Sequence, residues 1–132
     1  MLQENVEIVR RFLVTMARGD YEAAVREFDA DAKWHNTGAF PGPTICSGPA
    51  EIATFWKALF EGFEDAELDI EETAEIGDTV VVGLHSQARG RASGAPVDVR
   101  WGMSFRFERG RIIRADVYGE YGRALEAAGL SE

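Results

Sequence analysis

Cysteine, histidine, proline and positive charge are all scarce in this chain. One cysteine, Cys46, stands among 132 residues and has no partner for an internal disulfide. That removes the disulfide-stapled secreted class and makes a reducing, cytoplasmic setting the simpler expectation. The two histidines and the single cysteine show no ligand spacing with the carboxylates, so no dedicated metal site is expected. Fourteen Lys and Arg face 23 Asp and Glu, a net charge of −9. Such a surface repels phosphate backbones and anionic headgroups, so neither nucleic acid nor a membrane is an expected partner. No apolar run is long enough to span a bilayer. The opening MLQENVEIVRRF carries acids and no apolar h-region, so no signal peptide is expected.

What is present is a chain of 45% hydrophobic and 28% charged residues, the balance of one globular domain spanning residues 1–132. Roughly two-thirds of its unfolded surface is buried on folding at this size. Val6, Val9, Leu13 and Met16 recur at helical spacing, with Ile8 and Phe12 widening the stripe, which predicts a helix over Glu4–Arg18. Gly19 ends it and Asp20 caps a second helix, Tyr21–Phe28. A short strand is expected over Ala32–Asn36. Thr37–Ser47 holds two glycines and two prolines and reads as a loop, with Phe40 placed to lid a cavity or to lie in a static connection. Ser47 or Gly48 then caps a third helix, whose inner face is Ile52, Phe55, Trp56, Leu59, Phe60 and Phe63.

The second half alternates. Asp65–Glu75 and Thr79–Arg89 predict two strands joined at Gly77-Asp78. Pro96–Glu108 puts Val97, Val99, Trp101, Met103, Phe105 and Phe107 on one face. Arg109-Gly110 turns it into a strand over Ile112–Tyr118, and Tyr121–Gly129 follows as a short helix or tail. Helices first and a strand meander afterwards define an α+β domain.

The run VRRFLVTMARGDYEAAVREFDADAKWHN resembles the opening of the ketosteroid isomerases. SGPAEIATFW resembles their third-helix entry, and GMSFRFERGRI and VYGEY their last hairpin. The resemblance covers most of the chain. It points to the nuclear transport factor 2-like superfamily, which also holds SnoaL-like polyketide cyclases and limonene epoxide hydrolases. It implies a cone-shaped curved antiparallel sheet wrapped by three N-terminal helices, and a homodimer through the outer sheet face, where Arg100, Arg106, His85 and Gln87 would lie.

The resemblance places the isomerase base on Asn36, an amide without useful basicity. Its oxyanion-hole tyrosine falls on Phe12, and its protonated Asp on Trp101 or Met103; of these only the Trp101 indole N–H donates. The hydrolase water-holding pair matches Trp34 and Asn36, but its Arg and two Asp residues fall on the inward positions Ser86, Ala88 and Val117. The acid of the cyclases falls on Asp116 or Val117, according to register. A two-residue turn at Arg109-Gly110 directs Arg114, Asp116 and Tyr118 inward. A three-residue turn with a glycine bulge directs Ile113, Ala115 and Val117 inward instead. His35 and His85 read as surface or interface residues.

These readings lead to a small-molecule pocket protein whose ligand is flat and apolar or polyketide-like. In the enzyme form, Asp116 is the proton shuttle and Asn36 orients water or a carbonyl, without a cofactor. Phe12, Trp34, Trp56, Phe60, Trp101, Met103 and Tyr118 line the pocket. The alternative is a non-catalytic binding module for a hydrophobic ligand.

Overall fold

A computed structural model describes residues 2–36 and 45–129. The elements are α1 (Leu2–Ala17), α2 (Tyr21–Ala24), a 3₁₀ turn (Val25–Glu27), β1 (Phe28–Asn36), β2 (Ile45–Ser47), α3 (Gly48–Phe60), β3 (Phe63–Ile76), β4 (Thr79–Gly90), β5 (Pro96–Glu108), β6 (Arg111–Tyr118) and α4 (Tyr121–Ala127). In α1 the three- and four-residue spacing puts Val9, Phe12, Leu13 and Met16 on one face, and all four are buried. Gly19 leaves the helix at φ 88°, a conformation open to glycine without penalty. The Asp20 carboxylate then accepts from Ala23 N at 3.3 Å to start α2. That helix is shorter than the sequence predicts. The chain tightens into the 3₁₀ turn and enters β1 at Phe28, because Phe28 is buried opposite Ile112. A register shift between Phe28 and Lys33 hides the alternation there, so the strand reads as starting at Ala32.

Among the described residues the sheet has six strands, in the order β2-β1-β6-β5-β4-β3. The four later strands form the expected antiparallel meander. β1 runs parallel to β6, with Trp34 opposite Ala115 and Asn36 opposite Val117. Among the described residues this is the one parallel pairing, in a sheet expected to be antiparallel throughout. Alternation fixes which face a strand buries; it carries no information on direction when no hairpin joins the partners. The fold is thus α+β, a curved sheet whose inner face packs on α1 and α3 through one continuous core.

The last hairpin settles its register by combining both alternatives. Its turn holds two residues, Arg109 (φ 53°) and Gly110 (φ 78°), and Phe107 lies opposite Ile112. Both left-handed residues belong to the hairpin turn whose twist matches the strands. Immediately afterwards Arg106 lies opposite Arg114, so Ile113 is an extra residue. That bulge exchanges the faces. Ile112, Ala115 and Val117 join the inner core, while Arg114, Asp116 and Tyr118 share the outer face with Ser104 and Gly102.

Helix α4 folds back over that outer face, against β4, β5 and β6. Gly83 and Gly102 are register partners there. Their missing side chains admit Tyr121: a Cβ on Gly102 would lie 2.8 Å from Tyr121 Cα. Ala124 is fully buried as a result.

Burial has a pH consequence. It pushes the Cys46 thiol above its ordinary 9.0 and the Tyr21, Tyr118 and Tyr121 hydroxyls above 10.0, with Glu51, Glu61, Asp116 and Glu72 respectively adding to the shift. Below about pH 8 all four groups are protonated in both states and stability is at its full value. Above it the unfolded chain ionises first, so stability falls as pH rises through the folded-state values. Urea unfolding between pH 7 and 11 is expected to show this decline, shallower in Tyr118→Phe. A flat profile would show that the hydroxyls are hydrated.

Candidate functional site

Apolar residues at helical spacing make α3 the floor of a cavity. Trp56 and Phe60 are four residues apart, one turn along the same face, and their rings stack with centroids 5.4 Å apart. Trp101 of β5 tilts over Trp56 at 6.2 Å. Between this aromatic group, Phe63 and Leu68 of β3, and Ala88, Val97 and Val99 of the β4–β5 hairpin lies a partly open cavity of about 60 Å³. A single water needs ~10–15 Å³ of such space, and a buried cavity of ~150 Å³ takes a benzene ring. The space therefore admits a small group, with the remainder of a ligand lying in the mouth.

The polar groups around it are few. Ser86 and Trp101 are diagonal neighbours on adjacent strands, and Trp101 Nε1 donates to Ser86 Oγ at 2.9 Å. Gln87 contributes to the wall, but its amide donates to Asp98 at 3.1 Å. Glu67 is exposed at the rim. One residue of the β4–β5 turn ties that hairpin to the end of α3. Arg91 donates from its backbone to the Gly62 carbonyl at 2.9 Å. Its guanidinium donates to the Glu61 and Phe63 carbonyls, each at 3.0 Å. Three successive carbonyls at the α3–β3 junction are thus tied to the hairpin that forms the opposite wall.

The expected site residues divide into three places. Trp56, Phe60 and Trp101 line the cavity. Phe12, Trp34 and Met103 are fully buried in the adjoining core, where Trp34 meets Trp56 edge-on at 5.1 Å. Asn36 is also inward and buried, 3% exposed, at the end of β1. The outer face carries the third group. Asp116 accepts two hydrogen bonds from Arg114, at 2.9 and 3.1 Å, and lies 3.6 Å from His35 Nδ1. Tyr118 is on the same face, opposite Gly102. The bulge at Ile113 puts Asp116 and Tyr118 on the far side of the sheet from Trp101 and Met103, so neither reaches the cavity as expected. The expected lid over Thr37–Ser47 falls mainly on residues 37–44, outside the described residues.

His85 is on the outer face too. Its Nε2 is 2.7 Å from Asp98, and Arg100 donates to Glu71 at 3.0 Å. The hydrogen bonds from His85 and Gln87 hold the Asp98 carboxyl below its ordinary 3.8. Two contributors to the site escape a reading by alternation alone. Ser86 is inward as its strand predicts, but the bond to Trp101 needs the β4–β5 register. Arg91 sits in a turn, and its acceptors lie about thirty residues away in sequence.

A curved sheet wrapped by helices around an aromatic cavity, on this topology, is the nuclear transport factor 2-like, ketosteroid isomerase-like class. Within it the chain belongs to the SnoaL-like domain family, whose model matches residues 9–115. A candidate SnoaL-like polyketide cyclase from Jannaschia sp. CCS1 is similar at 23% identity and a TM-score of 0.80, covering 98% of this chain and 94% of that one. A hypothetical protein with a ketosteroid isomerase-like fold from Catenulispora acidiphila DSM 44928, in complex with trimethylamine, aligns at 18% identity and 0.76, covering 95% and 94%. TerC, co-crystallised with polyporic acid, aligns at 19% and 0.77, covering 95% and 98%. No curated protein matches the sequence. At these identities the likeness to solved structures establishes the fold. No helix among the described residues is long and apolar enough to cross a membrane.

Proposed function

We propose that this protein holds a small, uncharged, flat apolar molecule between α3 and the β4–β5 hairpin. The observation that carries the reading is the wall itself: Trp56, Phe60, Phe63 and Trp101 converge on one partly open space with Leu68, Val97 and Val99. Such walls favour apolar surface at ~25 cal/mol per Å² and penalise an unpaired charge. SnoaL-like membership and the small molecules named with two relatives are consistent with it.

Binding is better supported than isomerase-type proton transfer. The sequence resemblance puts the amide Asn36 where that family has its base, and the Asp116 carboxylate is engaged with Arg114 across the sheet. Within the same proposal Asn36 orients a water or carbonyl of a ligand long enough to reach the end of β1. Two copies pair through the outer face, which here includes α4; light scattering at twice the 14.6 kDa chain mass checks this.

The uncharged fluorescent reporter N-phenyl-1-naphthylamine tests the pocket. Saturable binding at one site per chain is expected, abolished by Ala88→Phe, which fills the cavity from its hairpin wall, with the circular dichroism spectrum unchanged. Equal binding by a folded Ala88→Phe variant would place the ligand elsewhere.

A further inference from the structure

We infer that Trp101 is the depth stop of the pocket, held in place by Ser86, and that a ligand enters with a single aromatic ring. The inference rests on the pocket reading above and adds the size of the part that is taken in. On β5 the cavity wall consists of Val97, Val99 and Trp101, and on β4 of Ser86, Gln87 and Ala88. The wall ends there. Leu84, the register partner of Trp101, and Met103, two residues further along β5, are buried in the core and do not border the cavity. Trp101 Nε1 donates to Ser86 Oγ at 2.9 Å, and Ser86 lies opposite Val99. The indole therefore leans along its strand from its own row towards the mouth, across the inner end of the cavity.

Two kinds of contact keep the ring there. Leu84 beside it and Met103 one row further in are fully buried, so close packing leaves no room for an inward swing. Trp56 faces it at 6.2 Å and is itself stacked on Phe60 and edge-on to Trp34. The bond to Ser86 supplies the directional restraint. Pushing the indole aside breaks that bond and leaves its N–H unpaired in an apolar wall. A buried cavity of ~150 Å³ encloses a whole benzene ring. The space of about 60 Å³ in front of Trp101 is smaller and partly open, so one ring enters edge first and a second fused ring stays in the mouth. Asn36 and Met103 both register with Val117, one row beyond Trp101, so a ligand reaches Asn36 only by displacing the indole. The reporter N-phenyl-1-naphthylamine meets this limit with its single phenyl ring.

Benzene and naphthalene, titrated by ligand-observed NMR into wild type, Trp101→Leu and Ser86→Ala, test this. The quantity read is the ratio of naphthalene to benzene affinity, which a merely structural role for either residue would not move. Trp101→Leu shortens the stop and keeps the wall apolar. It is expected to raise the ratio roughly tenfold, the effect of taking about half a ring-sized apolar surface out of water. In Ser86→Ala the indole stays but no bond resists its displacement, so the ratio is expected to rise roughly 3- to 10-fold, the worth of one net neutral hydrogen bond. A ratio unchanged in both variants would overturn the depth stop and leave the apolar pocket standing. A rise in Trp101→Leu alone would keep the stop and overturn the part given to Ser86. If Trp101→Leu does not fold, the ratio in Ser86→Ala decides. Failure of both probes to bind wild type would overturn the pocket reading and this inference together.

Discussion

Trp34→Ala is expected to lower the unfolding free energy by about 3–5 kcal/mol, the range for removing a large aromatic from a well-packed core. Trp34 has 0% exposure. Its ring lies 5.1 Å from that of Trp56, 6.2 Å from those of Phe12 and Phe28, and 6.3 Å from that of Phe55. Five aromatic residues from α1, β1 and α3 therefore share one packed volume, and truncating the central one leaves a void that rigid neighbours cannot close. Against a total stability of typically 5–15 kcal/mol the variant stays folded with little margin. Free indole, which replaces the lost ring, is expected to restore part of the loss. Trp34→Phe is the informative companion. Trp34 Nε1 is buried and meets no acceptor among the described residues. Phenylalanine gives up some volume but removes that unpaired donor, so its cost is expected to be well under half that of alanine. Urea melts at pH 7 with and without indole decide it. A loss below about 1 kcal/mol for Trp34→Ala would show that the ring is peripheral.

The same packing explains the division of the expected pocket residues. Phe12, Trp34 and Met103 were candidates for the wall because the resemblance puts catalytic groups near them. Here their side chains are the filling between the inner sheet face and α1, fully buried. The cavity opens further along α3, where the chain leaves the helix at Phe60 and the hairpin tip must bridge to it. Arg91 makes that bridge, through three hydrogen bonds to carbonyls 61–63.

Much of this was legible in the sequence, and the failures share a cause. The α1 stripe, the Gly19-Asp20 break and the alternation of β4 and β5 are local signals that survive folding intact; the aromatic face of α3 survives as far as Phe60, while Phe63, expected on it, opens β3 instead. What a single chain cannot show locally is pairing. The direction of β1 is set by β6, more than seventy residues on. The bulge at Ile113 is invisible because Arg-Ile-Ile-Arg offers an apolar residue to either register; burial of both Ile112 and Ala115 selects the bulged one. That single extra residue moved Asp116 from the expected proton shuttle to an outer-face ion pair. The glycines inside β4 and β5 did carry a signal, since glycine in a strand interior often marks close approach of another backbone. Its meaning emerges only when Gly83 and Gly102 are seen to lie opposite one another.

That pair predicts the second large effect. Gly102→Val is expected to expel α4 from the sheet at a cost of about 1–3 kcal/mol, the usual range for overpacking. The new Cβ would stand 2.8 Å from Tyr121 Cα, 3.1 Å from its N and 3.2 Å from the Glu120 carbonyl oxygen. These are backbone atoms, so no rotamer change relieves the contact and the helix must move as a unit. Gly83→Ala is the milder case, because its Cβ would meet the Tyr121 ring at 3.1 Å, and a ring can turn. Strand propensity acts in the opposite direction: valine suits a pleated surface better than glycine does. In a chain truncated after Gly119 the same substitution is therefore expected to be neutral or stabilising. Melting temperatures of the four chains, with hydrogen exchange over residues 121–127, test both halves of the argument. Equal destabilisation with and without α4 would locate the strain inside the sheet. Retained protection of α4 in full-length Gly102→Val would show that the outer face has room to spare. Affinity for an inner-face ligand is expected to stay within about twofold in the expelled form, since Ser86, Ala88, Val97, Val99 and Trp101 of the cavity wall project from the other side of β4 and β5.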